Sequence, residues 1–324
     1  MEEVFDISII ISSYNRENKV LQTIQRLFES DLNDFTKIEL IVIDDGSPSP
    51  VSKLLVQLKI IPAKIDLRVI TQENAGIGAT RNRGFREAKA DIVIFLDDDI
   101  LLHADTIKKI YKAQLEGPGP VIFGSYPFIS HSSASLQQFA RQLFGYDEIT
   151  TAEQFEKVDA ITSGLLSVDK SKLTDRRNFY KDDLSIPAAE EHEIISRFHQ
   201  QGIPIYHAKH IAAIHNHHLE LGWLGQQQYK YGLATAEAFI KNPEITKMKK
   251  FSVLKTSLDS IKKSTTKKII KSFLASTVGR KSIILLARMS EYFFPNKNHD
   301  YIFSVFTSSN FLAGYRAGMK RFTH

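Results

Sequence analysis

The sequence predicts an α/β protein: a mostly parallel central sheet with helices on both faces, followed by a C-terminal helical appendage. Three observations carry that expectation. Short β-branched runs alternate with stretches of helical periodicity from residue 6 to residue 115. The loops that end those runs hold the chemically conspicuous residues, and in parallel α/β sheets ligands lie beyond the carboxyl ends of the strands. Past Asn242-Pro243 the composition changes to one rich in lysine and aromatics.

Each element has a local reason. The run DISIIIS at 6–12 reads as a strand, and 17–30 sets Val20, Leu21, Ile24, Leu27 and Phe28 on one helical face. IELIVI at 38–43 is a second strand, closed by the turn signal Asp44-Asp45-Gly46-Ser47-Pro48. A helix over 51–59, a strand over 66–71 and a helix over 78–90 follow. DIVIFL at 91–96 is a fourth strand, stopped by three aspartates, and 103–115 is helical. Beyond it, 120–126 reads as a strand, 133–144 as a helix and 158–168 as a strand-like segment with a Ser-Gly interruption. Residues 188–200 form a helix with acids at its start, 203–210 a strand, and 211–218 carries histidines. Residues 247–271 are lysine-rich, and 282–294 and 301–319 are amphipathic. The expected division is a domain over 1–240, with halves 1–100 and 101–240, and a basic helical region over 241–324.

Composition removes several function classes. At 324 residues, 43% hydrophobic and 24% charged, the chain has the make-up of a soluble globular protein with a full core. It has no cysteine, which excludes disulfides, thiolate zinc sites and cysteine nucleophiles. The start, MEEVFDISII, lacks a signal-peptide pattern, and no run of 18 apolar residues exists, so the expected compartment is the cytoplasm. The net charge of +5 hides an asymmetry: residues 241–324 hold 17 basic and 4 acidic side chains, the rest 25 and 33. An acidic body with a basic tail suits a catalytic domain held near an anionic surface. The tail reads as a peripheral contact to the inner face of a membrane, as an oligomerisation element, or as a solvated helix pair. No nucleic-acid motif is visible, so no nucleic-acid partner is expected.

The candidate chemistry begins with Asp97-Asp98-Asp99. Three adjacent carboxylates repel each other, and after a buried strand they call for a cation. Carboxylate oxygens suit Mg2+ or Mn2+, which are held by one or two protein carboxylates together with substrate phosphates. Asp is also favoured as a helix N-cap. In Asn74-Ala75-Gly76-Ile77-Gly78-Ala79-Thr80-Arg81-Asn82-Arg83-Gly84, the glycines allow close backbone approach and Arg81 can grip phosphate oxygens. The segment is neither GxGxxG nor GxxxxGK[ST], so dinucleotide oxidoreductase and P-loop readings fail. Glu190, Glu191 and Glu193 open a helix, where acids also complement the macrodipole. A carboxylate there can take the proton of an attacking hydroxyl. His207, His210, His215, His217 and His218 fall within twelve residues, and no HExxH is present. Trp223, Tyr229 and Tyr231 read as packing.

The order SSYNR, IDDGS, ENAGIGATRNRG, FLDDD resembles the nucleotide-sugar domain of family 2 glycosyltransferases with the Rossmann-like GT-A fold, over about residues 8–218. The resemblance implies an inverting transfer of a sugar from a nucleotide-diphosphate donor, most simply a UDP-sugar, to a hydroxyl of a glycan or lipid-linked acceptor in surface-polysaccharide synthesis. It implies that Ser12, Tyr14, Arg16, Asp44 and Asp45 hold the nucleotide, with Gly76, Arg81, Asp97 and Asp98 at ribose, diphosphate and sugar. It implies a Mn2+ or Mg2+ site of Asp99, Asp97 and His215, and a small-residue acceptor loop at Ser163-Gly164. The catalytic base matches Glu191, with Glu190 beside it as the alternative assignment. A sugar nucleotidyltransferase and a non-catalytic nucleotide-sugar or glycan binder are the other readings.

Overall fold

Strand β1 (Ile7–Ser13) is buried along its whole length, as a central strand covered on both faces must be. Helix α1 (Glu17–Phe28) buries Val20, Thr23, Ile24 and Leu27, the stripe a surface helix turns to a core. It leads to β2 (Ile38–Asp44), parallel to β1 from Ile7 opposite Ile38 to Ser13 opposite Asp44. The short α2 (Val51–Leu55) precedes β3 (Ile65–Thr71), parallel to β2. Helix α3 (Ile77–Glu87) returns the chain to β4 (Ile92–Asp97), parallel to β1 on its other side. This register sets Ser13 beside Asp44 and Ser12 beside Asp97. Three polar loops therefore leave the sheet at one edge, and that alignment positions the site.

The structure, a computed structural model, describes residues 4–58, 60–129, 133–144, 149–181, 189–248, 276–293 and 299–323. The later elements are β5 (Ile100–Leu102), α4 (Thr106–Glu116), β6 (Val121–Ser125), β7 (Phe128–Ile129), α5 (Ala134–Phe144), β8 (Phe155–Val158) and β9 (Leu165–Asp169). They are followed by α6 (Ala189–Gln201), β10 (Ile205–His218), α7 (Leu221–Lys241), α8 (Thr277–Phe293) and α9 (Asp300–Phe322). The main sheet path is β3-β2-β1-β4-β9-β6-β10-β5. The first four strands are parallel; β9 runs antiparallel to both β4 and β6. Among the described residues no helix is long and apolar enough to cross a membrane. The lysine-rich stretch 247–271 lies almost wholly outside the described residues.

Three elements differ from their sequence reading. The helix expected over 51–59 stops at Leu55, where the chain turns and Leu58 N donates to Leu55 O. The run 158–168 holds the last residue of β8, which pairs with β10, and most of β9, which pairs with β4 and β6. The runs 203–210 and 211–218 are one strand, β10, whose register against β6 shifts between Ala208 and Ala212.

The chain forms two compact units, and these do not follow a boundary at 240/241. One comprises Met1–Ile129, Gly145–Asp183 and Arg197–His217 and contains the sheet. The other comprises Ser130–Phe144, Leu184–Ser196 and His218–His324. In this second unit α7 and α9 meet backbone to backbone: Gly232 faces Phe311 and Tyr315, and Gly314 faces Tyr229. Gly225 packs on the Phe306 ring, so the two helices run parallel. That packing is why α7 groups with the C-terminal helices rather than with the sheet. Trp223 contacts Phe144 in the same unit, in line with the packing role expected for it.

In the first unit Gly84 of α3 lies against Ile10 of β1, and a methyl group there would overlap the Ile10 side chain. Gly84→Ala is expected to destabilise by about 1–3 kcal/mol through overpacking. Urea unfolding should show a lowered midpoint at unchanged slope; an unchanged midpoint would mean that the helix and strand are not so closely seated.

Candidate functional site

The site in the sheet-bearing unit is organised by how β1 hands over to α1. Asn15 adopts a left-handed conformation, φ 54°, and its N donates to Ser47 Oγ at 2.9 Å. This turn brings Arg16 and Lys19 against the acidic loop that follows β4. Arg16 Nη1 lies 2.8 Å from Asp98 Oδ1, and Arg16 Nη2 donates to Asp99 Oδ2. Lys19 Nζ is 3.4 Å from Asp99 Oδ2 and donates to Asn216 O at 2.9 Å. Ser13 Oγ donates to Asp98 Oδ2 at 3.0 Å, and Thr23 Oγ1 to Asp98 O at 2.9 Å. Two cations at a helix N-terminus oppose the macrodipole; the carboxylates beside them offset that cost.

The three aspartates are electrostatically unlike. Asp98 is pushed up to about 7, chiefly by burial; Arg16 opposes the rise, and repulsion from Asp99 and Asp97 adds to it. Burial also opposes ionisation of Asp99, yet the His215 hydrogen bond and charge, then Arg16 and Lys19, hold it well below the usual carboxylate range. Burial opposes the charge of Arg16 too, but Asp98 and Asp99 prevail and raise its pKa. At neutral pH Asp98 is therefore only partly ionised, while Asp99 stays charged. Asp97 is engaged elsewhere: Arg81 Nη2 donates to its Oδ1 at 2.7 Å.

Arg81 is held from below as well as in front. Its guanidinium lies 5.4 Å from the Tyr180 ring centroid. The Tyr180 hydroxyl donates to Ser163 Oγ at 2.8 Å, and Tyr180 N donates to Asn82 Oδ1 at 2.8 Å. Ser163 and Gly164 therefore sit against the aspartates, and a methyl group on Gly164 would come within 3.1 Å of Asp97 Oδ2.

The aspartates after β2 are held by backbone donors of their own and neighbouring loops. Asp44 is fully buried and accepts from Ser47 N and Val51 N, both at 2.9 Å. Asp45 accepts from Gln72 Nε2 at 2.8 Å, Ala75 N at 2.9 Å and Gly76 N at 3.0 Å. In the structure Asp44 ties its own turn and the start of α2, and Asp45 fixes the loop that enters α3. Gly76, at φ 87°, begins that helix with open space where a side chain would stand. Ser12 Oγ is buried and has no partner among the described residues, whereas Tyr14 is exposed.

The histidines separate into two groups. His207 bonds Ser125 at 2.8 Å and stacks on Phe123, and His210 contacts Gln154, so both serve the fold. His215 Nε2 lies 3.4 Å from Asp99 Oδ2, with its ring stacked on Phe128 and its Nδ1 without a partner among the described residues. His217 is lowered to about 4 by burial, then by Lys19 and His215, and is neutral at neutral pH. No three His, Asp or Glu side chains converge as a metal cage among the described residues. Of the expected set of Asp99, Asp97 and His215, Asp99 and His215 lie side by side, while Asp97 Oδ1 accepts from Arg81. Two adjacent donors, one a fully ionised carboxylate, fit a cation that completes its shell with substrate phosphate and water.

In the second unit Glu190 and Glu191 stand in the first turn of α6, Glu190 buried and Glu191 half-buried. His192 Nε2 is 3.1 Å from Thr235 Oγ1 of α7.

The pattern of the family described as Glycosyl transferase family 2 matches residues 8–174, just over half of the chain. The chain belongs to this family. Like other matches, the glycosyltransferase GlyA of Streptococcus pneumoniae is similar to it, at 25% identity over 182 residues, 53% of this chain and 25% of GlyA. So is the poly(ribitol-phosphate) β-N-acetylglucosaminyltransferase TarP of Staphylococcus aureus, at 29% over 120 residues, 37% of this chain and 36% of TarP. The chain thus spans only about a quarter to a third of the length of these curated relatives. Among solved structures, the mannosyltransferase PcManGT of Pyrobaculum calidifontis, in complex with GDP-Man and Mn2+, superposes with a TM-score of 0.63. The match covers 98% of this chain and 88% of that one at 13% identity, and it shows the shared GT-A fold.

Against the family 2 glycosyltransferase motifs, sequence reasoning missed Lys19, Asn82 and Tyr180. Lys19 had a signal: a second cation in a first helical turn, unfavourable alone, marks a nearby anion. Tyr180 had none, because it reaches Arg81 from an irregular segment.

The buried Asp98 gives this family 2 glycosyltransferase a pH signature. Its folded pKa, about 7, lies above the ordinary 3.8, so its contribution to stability is complete below about pH 4 and is lost as pH rises through 7. Each unit is about 1.4 kcal/mol. Asp98→Asn, measured in EDTA, should flatten the decline in thermal midpoint between pH 5 and pH 8; an equal decline in both proteins would place the proton elsewhere.

Proposed function

We propose that the chain is an inverting glycosyltransferase that moves a sugar from a nucleotide-diphosphate donor, a UDP-sugar, to a hydroxyl of a glycan or lipid-linked acceptor. The observation that carries this reading is the convergence of Arg16, Lys19, Arg81 and His215 on Asp97–Asp99 at the aligned strand ends. A nucleotide-diphosphate needs both kinds of charge there: cations for its phosphates and an acid for the metal it brings.

The residues divide the work. Ser12 offers a buried hydroxyl to the nucleotide, and Tyr14 an exposed ring for the base to rest on. Arg81, seated on Tyr180 and aimed by Asp97, is placed to grip a diphosphate oxygen bidentately. Arg16 and Lys19 neutralise the acids before the donor arrives and are long enough to turn to phosphate afterwards. Asp99 and His215 would hold Mn2+ or Mg2+, whose charge steadies the departing diphosphate. Ser163 and Gly164 form the small-residue loop on the acceptor side, close against Tyr126 and Asp97. Glu191 takes the proton from the acceptor hydroxyl as the new bond forms, and Glu190 shapes its surroundings. The basic C-terminal region would seat the enzyme peripherally on an anionic membrane face.

Glu191→Gln is expected to keep donor binding and lower transfer by about 10²- to 10⁴-fold. The assay scores nucleoside diphosphate released from a panel of nucleotide-sugars. Loss of transfer in Glu190→Gln with full activity in Glu191→Gln would reassign the base. Release of pyrophosphate in place of nucleoside diphosphate would replace the reading with nucleotidyl transfer.

A further inference from the structure

Helix α8 is apolar on two sides. Gly279, Ile283 and Ala287 are buried, and the helix packs against α9. On the other side Val278, Leu285 and Leu286 are 66%, 59% and 58% exposed. At the α-helical turn of 3.6 residues, these three fall within an arc of about 100°. Exposed Ser282 lies inside that arc and exposed Lys281 stands at its flank. Among the described residues, other helices expose one large apolar side chain at most: Leu115 in α4, Leu143 in α5 and Tyr301 in α9. Such residues standing singly are ordinary surface, whereas several on one face mark a surface that something covers.

The charge around this face selects what covers it. Residues 241–324 hold 17 basic and 4 acidic side chains, and residues 247–271, which lead towards α8, hold nine lysines and one acid. Ser276 and Lys320 line one cavity, so the start of α8 and the last turn of α9 are neighbours. That last turn exposes Lys320 and Arg321. A second copy of the chain would set this positive charge against itself, while an anionic surface complements it. Among the described residues no helix is long and apolar enough to cross a membrane, so α8 is suited to lie in a membrane surface and not to span it.

We propose that the outer face of α8 enters an anionic lipid bilayer at the boundary between headgroups and acyl chains. Val278, Leu285 and Leu286 meet the acyl chains, and Lys281 reaches back along its stem to lipid phosphate. The proposal rests on the reading of the basic region as a peripheral membrane seat, and it names the element that makes the apolar contact. Lysines alone hold a protein at an anionic surface through an attraction that salt screens. Leucines that leave water add a contact that does not depend on charge.

The test uses the full chain and phosphatidylcholine vesicles with and without phosphatidylglycerol, followed by co-sedimentation. Wild type should bind the vesicles that contain phosphatidylglycerol. Leu285→Ser combined with Leu286→Ser, at exposed positions, should weaken that binding at least about tenfold. Lys281→Gln should weaken it about fivefold, the share of one basic residue near an anionic surface. The chain has no cysteine, so Leu286→Cys can carry a single environment-sensitive fluorophore. Its emission should shift to the blue on phosphatidylglycerol vesicles and stay unshifted on phosphatidylcholine alone. A wild type that ignores anionic vesicles would overturn the membrane seat and this proposal together. Equal binding by wild type and the double leucine variant, with unshifted emission, would overturn the proposal alone and leave the basic seat standing. A wild-type dimer in light scattering that the double variant turns into a monomer would assign the face to a second copy and overturn the proposal as well.

Discussion

The interaction on which the site depends is the neutralisation of three consecutive carboxylates at the end of a buried strand. Asp97, Asp98 and Asp99 could not stand together at the edge of β4 without it. The solution is distributed over four elements. Arg16 and Lys19 come from the start of α1, Arg81 from α3 and His215 from β10, and burial with its neighbours' charge raises Asp98 so that it is only partly ionised at neutral pH. Arg16, Lys19 and Arg81 stand at or in helices that follow strand ends and His215 lies on β10, so the electrostatics of the site depend on the register of the sheet.

That constraint assigns unlike roles to residues of one chemical type. Asp44 and Asp45 are as acidic in sequence as the cluster after β4, but their oxygens are taken by backbone N–H groups of their own and neighbouring loops. They hold the frame in which Gly76 and Arg81 are presented. Asp97 pairs with Arg81, burial raises Asp98, and His215, Arg16 and Lys19 keep Asp99 charged. His207 and His210 support the sheet, whereas His215 reaches the acids, although all three lie on one strand.

Much of this was legible in the sequence where local pattern and chemistry coincide. The buried β-branched runs and the polar loops at their ends give the parallel half of the sheet, and the four loop motifs mark the acidic site. The antiparallel insertion of β9 between β4 and β6 was not legible, because pairing partners distant in sequence leave no periodic trace. Nor was the association of α7 with α9, which rests on backbone contacts at Gly232 and Gly314 that read in sequence as ordinary glycines. Acidity alone could not separate Asp44 from Asp99; the difference is whether backbone donors or side-chain cations meet the carboxylate.

The account stands or falls on Asp99 as the carboxylate that links donor to metal. Calorimetric titration of UDP-sugar into wild type and Asp99→Asn, each in Mn2+ and in EDTA, tests it most directly. The account predicts that Mn2+ tightens donor binding at least about tenfold in wild type and leaves the variant unchanged. An equal Mn2+ effect in both proteins, or none in wild type, would contradict it.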